Sequence, residues 1–116
     1  MSDQRKTDRA PLDIFLNKYV SGVPYMARAR DIGPEGVRLK RLIEPSHAGR
    51  RVGLQFQLPG SDEVIYAEGE VVRGWTEADF QAQPEQEGHG VRFTLLTERH
   101  RRMIQAYVDR FGEAGH

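Results

Sequence analysis

Along the first half of the chain, apolar residues come in short alternating runs rather than at helical steps. LDIFLNKYV, YMARARDI and VRLKRLI, starting at Leu12, Tyr25 and Val37, are divided by Ser21-Gly22-Val23-Pro24 and by Gly33-Pro34-Glu35-Gly36. Runs of β-branched and aromatic residues bounded by glycine and proline predict three strands. The cleanest alternation is RVGLQFQL, where Val52, Leu54, Phe56 and Leu58 share one face and Gly53, Gln55 and Gln57 the other. A period of two makes this a half-buried strand. Pro59-Gly60-Ser61-Asp62 then turns the chain into a long return strand, EVIYAEGEVVRGW, in which Gly69 is a candidate bulge or bend. HGVRFTLL supplies a sixth strand.

The period changes at the end of the chain. Met103, Ile104, Tyr107, Val108 and Phe111 recur at three- and four-residue steps, the stripe of one helix, with Thr97 as its N-cap and Gly112 as its stop. Thr76 to Gly88 is acidic, rich in glutamine and broken by Pro84, and reads as a solvated loop. Residues 1–11 are charged and without apolar period, so they read as a flexible arm. The folded body runs over 12–112 and a short tail over 113–116. Six short strands with one helix predict an all-β class, an antiparallel barrel or sandwich, and a barrel has the advantage of leaving no open sheet edge.

Composition narrows the chemistry. At 116 residues with 38% hydrophobic side chains and no cysteine, one domain with its own core is expected, without disulfides or thiol catalysis. No apolar run approaches the roughly 18 residues of a membrane span, and a cytoplasmic location is the plain expectation. The net charge is zero but uneven: up to Arg51 there are 11 basic and 6 acidic residues, and the balance reverses after it. An anionic ligand is expected on the first half. His47, His89, His100 and His116 have no metal-ligand spacing and read as solvated, and no nucleophile elbow, phosphate loop or dinucleotide fingerprint occurs. The chain is not read as an enzyme, and no catalytic residue, metal or cofactor is expected.

Two motifs lie in the basic half. Arg5-Lys6-Thr7-Asp8-Arg9 is an R-x-x-x-R pair on the arm, and Asp31-Ile32-Gly33-Pro34-Glu35-Gly36 spans the turn after the second long strand. Each alone is ordinary: charged tails contain such arginines, and tight strand connections use Asp and Gly. In this order, and followed by E-G-E-V-V-R and H-G-V-R-F, they resemble the PilZ domain family over about Arg5 to Phe111. The resemblance implies a six-stranded antiparallel β-barrel with a C-terminal α-helix, bacterial, and in many members a receptor for the second messenger cyclic di-GMP. By the same resemblance Arg5, Arg9, Asp31, Gly33 and Gly36 are ligand-binding candidates, with Arg73 as an extra stacking or phosphate group. Gly33 departs from the pattern, because the family usually has serine there.

The implied ligand suits these residue types. Guanine presents O6 and N7 to an arginine fork and N1–H and N2–H to a carboxylate such as that of Asp31. Glycine at position 36 would permit a left-handed conformation or a close approach of ligand to backbone. Loss of the serine hydroxyl at Gly33 is expected to cost roughly two- to tenfold in affinity. The expected partners are cyclic di-GMP and an effector protein, reached through the acidic 77–87 loop or the terminal helix because a chain this small has no output domain. No membrane span is expected, and the chain is expected to be a monomer or weak dimer. Two other readings stand beside the receptor. One is a PilZ-like adaptor that has lost nucleotide binding. The other, disfavoured by the zero net charge, is a small barrel for single-stranded nucleic acid.

Overall fold

Why the alternating runs become a closed sheet is visible in the strand register. The structure, a computed structural model, describes residues 9–40, 51–72 and 88–112. The strands are β1 (Ala10–Pro11), β2 (Phe15–Val20), β3 (Val23–Gly33), β4 (Gly36–Lys40), β5 (Arg51–Phe56), β6 (Ile65–Val72) and β7 (Gly88–Leu95). They are followed by one helix, α1 (Glu98–Phe111). All pairings are antiparallel in the order β1-β3-β2-β5-β6-β7-β4, and β4 pairs back onto β3. Six strands therefore close into a barrel.

The seventh strand, β1, continues the line of β2 along β3, and hydrogen bonds from Leu12 N–H to Arg30 O and from Ala29 N–H to Ile14 O join the two. Ala10 and Pro11, assigned by sequence to the arm, are thus already part of the sheet, and Ala10 is buried. The small methyl of Ala10 fits the core, and its strand supplies partners for backbone that would otherwise be unpaired.

Local chemistry fixes the turns. Ser21 and Gly22 both have positive φ, 53° and 81°, and connect β2 to β3 as the primed two-residue turn that matches strand twist. Pro59-Gly60 forms the next turn, with Gly60 at φ 82° and Ser61 N–H bonded to Leu58 O.

A bulge re-aims the second half of β3. Ala29 opposes Leu39 and Asp31 opposes Arg38, so Arg30 is the extra residue. Upstream of it Ala27 and Ala29 face the core, and downstream Ile32 takes the inward place. Without the extra residue Asp31 would follow Ala27 and Ala29 inward; with it, the carboxylate faces outward beside Arg38. A second shift, at Glu68/Gly69 against β7, makes Thr94 the extra residue. The bulge expected at Gly69 is therefore present as a register shift, with the added residue on the partner strand.

The core is the inward set of these strands, including Leu16, Val37, Leu39, Leu54, Ile65 and Val91, closed by Ile104 and Val108 of α1. RVGLQFQL behaves as its alternation predicts, with Val52, Leu54, Phe56 and Leu58 all buried. Among the described residues, Lys18 is the charged member of the interior, 0% exposed and engaged by its surroundings. The helix is capped as expected: Thr97 Oγ1 accepts from His100 N–H, and Gly112 N–H donates to Val108 O. Gly112 has φ −68°, so the stop does not use glycine's left-handed freedom. Phe111 departs from the buried stripe; it is 51% exposed, its ring 4.9 Å from that of Tyr107. Among the described residues, no helix is long and apolar enough to cross a membrane.

Candidate functional site

The bulge and the two-residue turn together build a charged cluster at one end of β3 and β4. Gly33 pairs with Gly36, Ile32 with Val37 and Asp31 with Arg38, so the hairpin register sets a guanidinium directly opposite the carboxylate. Arg38 grips it as a fork, Nε to Oδ1 at 3.0 Å and Nη2 to Oδ2 at 2.7 Å. Arg9 reaches the same carboxylate from the arm, Nε to Oδ1 at 2.7 Å, while its Nη2 lies 3.4 Å from Gly36 O. All three side chains are mostly shielded, between 17% and 24% exposed. Two cations on one carboxylate leave the cluster net positive, and partial burial strengthens each charge-assisted bond.

Of the residues predicted from sequence, the fold brings Arg9, Asp31, Gly33 and Gly36 together. Arg5 and Arg73 lie outside the described residues, as does the 77–87 loop. Gly33 and Gly36 are not among the glycines with positive φ, so left-handed freedom is not what position 36 uses. The reason for glycine there is close packing: a Cβ would run into Val91 O of β7 and come within 3.3 Å of Arg92 Cα. Gly69 serves β7 from the other side, where a Cβ would meet Val91 Cγ1 at 2.5 Å and Arg92 O at 2.6 Å.

The two motifs did not name Arg38, which the fold makes part of the cluster. The signal was available, because a two-residue turn at Pro34-Glu35 pairs positions 31 and 38. Arg28, further up β3, is engaged by Asp13 through two bonds of 2.7 and 3.0 Å. Hydrogen bonding to Arg28 holds the Asp13 carboxyl below its ordinary value and raises that of Arg28. His100, expected to be solvated, packs its ring at 15% exposure with Nε2 3.0 Å from Glu63. It sits in the first turn of α1, above the strand connection that carries Glu63, and that proximity is invisible in a linear pattern.

The fold coincides with that of a known family. A family model for the PilZ domain matches residues 3–110. The chain belongs to the PilZ domain family. PilZ domains are receptor or adaptor domains rather than enzymes. Among solved structures, the Bacillus subtilis inhibitor of motility MotI/DgrA is similar, with a TM-score of 0.75 at 13% identity. The match covers 95% of this chain and 51% of that one, so this PilZ domain spans about half the length of that protein. At such low identity the likeness is one of fold. No curated protein gives a significant match.

The turn itself is held from three directions. Pro34 O accepts from Arg101 Nη1 of α1 at 2.6 Å, Glu35 O accepts from Phe93 N–H of β7 at 2.9 Å, and Gly36 O faces Arg9. Three consecutive carbonyls thus face helix, barrel and arm. A separate open cavity of about 550 Å³ on the outer face of β2, β5 and β6 is lined by Tyr19, Gly53, Gln55 and Tyr66. None of Arg9, Asp31, Gly33 and Gly36 contributes to it.

Proposed function

We propose that this PilZ domain is a receptor for cyclic di-GMP, with Arg9, Asp31, Gly33 and Gly36 in the described part of the site and Arg5 and Arg73 completing it. The observation that carries the reading is the meeting of Arg9 with Asp31, 22 residues apart in the chain, beside the turn that holds Gly33 and Gly36. An arginine fork can leave a carboxylate for guanine O6 and N7 or for a phosphate oxygen, because all are acceptors of similar geometry. The vacated edge of Asp31 can then accept guanine N1–H and N2–H, while Arg38 keeps the carboxylate oriented. Binding is thus an exchange of partners, with the arm up to Arg9 closing on the nucleotide and the barrel acting as its platform. The domain performs no catalytic step, and its output is contact with an effector protein in the bacterial cytoplasm.

Calorimetric titration with cyclic di-GMP, with GMP and cyclic di-AMP as controls, tests the reading. Saturable, guanine-selective heat that disappears in Arg9→Ala supports it, and the stoichiometry gives one nucleotide or two. Absence of heat at about millimolar ligand overturns it and leaves the adaptor that works through protein contacts alone.

A further inference from the structure

The helix α1 is tied to both halves of the charged cluster. Arg101 donates to Pro34 O in the turn, and Tyr107 Oη donates to Pro11 O at 2.9 Å, two residues beyond Arg9. These two positions flank the buried stripe of Ile104 and Val108, so the helix cannot shift on the barrel without disturbing one tie or the other. Burial raises the Tyr107 phenol above its ordinary value, which keeps it a donor at neutral pH. The turn in between has no slack: Glu35 O is pinned by β7, and β4 is pressed against the β7 backbone at Gly36.

We propose that the Pro34–Gly36 turn is a mechanical junction through which Arg101 couples α1 to the arm, and that Arg101 is a positioning residue for the cluster around Asp31. Arg101 holds the turn at the height at which Gly36 O meets Arg9. Displacement of Arg9 from Asp31 therefore pulls on the same turn that anchors the helix. By reciprocity, a protein that grips α1 changes the affinity of the arm site by the factor with which the arm site changes its own. Naming cyclic di-GMP as the input rests on the reading above; the mechanical linkage does not.

Amide hydrogen exchange on the ligand-free protein tests the linkage directly. Phe93 N–H, bonded to Glu35 O, reports the turn, and Leu12 N–H, bonded to Arg30 O, reports the root of the arm. Replacing a charged donor to a carbonyl by a weaker one in Arg101→Gln is expected to speed exchange at both amides about tenfold. Arg102→Gln, on the neighbouring exposed position, leaves both at the parental rate, and Arg101→Lys restores part of the protection. Leu54 N–H in β5 serves as the reference for global unfolding. Parental rates at Phe93 and Leu12 in Arg101→Gln overturn the proposal, as does acceleration confined to α1 or shared equally by Leu54. Titration with cyclic di-GMP is the second arm: where the parent binds, Arg101→Gln weakens binding about tenfold and Arg102→Gln does not. A parent that fails to bind sinks the receptor reading, while the exchange rates still decide the linkage.

Discussion

Arg9 and Asp31 meet at 2.7 Å across 22 residues of chain, and they do so on a carboxylate that Arg38 already holds through two bonds. The second cation separates stability from binding. Removing Arg9 leaves Asp31 satisfied by Arg38, whereas removing Asp31 leaves two shielded guanidinium groups facing each other.

Asp31→Ala is accordingly expected to destabilise the fold by about 1–3 kcal/mol, and Arg9→Ala by about 1 kcal/mol or less. Both are expected to abolish cyclic di-GMP binding. Denaturant unfolding of the two variants, set beside calorimetric titration, checks the contrast. Equal losses of stability would show that Arg38 does not hold the carboxylate on its own.

Gly33 stands where the family resemblance leads one to expect serine. Its backbone is not left-handed, so a side chain can be introduced there without the strain of positive φ. Gly33→Ser adds one hydroxyl beside Asp31 and is expected to tighten cyclic di-GMP binding by roughly two- to tenfold. Titration of the variant measures it directly, and an unchanged or weaker affinity would place position 33 away from the ligand.

Much of this arrangement is legible along the chain, and the rest fails for identifiable reasons. Alternation predicts Val52, Leu54, Phe56 and Leu58 inside because a period of two maps directly onto two faces. The register of Asp31 against Arg38 is also encoded, in the two residues between Gly33 and Gly36. The bulge at Arg30 is not: no glycine or proline marks it, and it is detected only by the switch of inward residues from Ala27 and Ala29 to Ile32. Long-range contacts such as Arg101 to Pro34 and His100 to Glu63 depend on where α1 docks, which no local pattern specifies.

Glu63 provides a pH test of that docking. Hydrogen bonds from Arg99, at 2.8 and 2.6 Å, and from His100 lower its carboxyl from 4.5 to about 2. A carboxyl lowered by folding stabilises the native state fully above its unfolded value and loses that contribution as pH falls toward the folded one. The contribution is therefore complete above about pH 4.5 and disappears by about pH 2. Thermal unfolding of the parent and Glu63→Gln is expected to differ at pH 6 and to converge near pH 2. A difference that persists unchanged in acid would assign the effect to packing instead.

Gly36 carries the last prediction, because its two candidate roles separate experimentally. The family resemblance suggests that glycine there lets a ligand approach the backbone; the structure shows the β7 backbone in that space, at Val91 O and Arg92 Cα. An added methyl in Gly36→Ala must push β4 from β7 on the closed side of the barrel, where neither strand can move without opening its ladder. Overpacking of this kind costs roughly 1–3 kcal/mol, which for a domain of about 100 residues lowers the midpoint by about 4–8 °C per kcal/mol. The ligand-free protein should therefore lose several degrees of thermal stability, whereas Gly22→Ala, with nothing within 4 Å of its Cβ, suffers only from its positive φ. A Gly36→Ala variant that melts with the parent yet no longer binds cyclic di-GMP would return the glycine to the ligand and remove close packing against β7 as its reason.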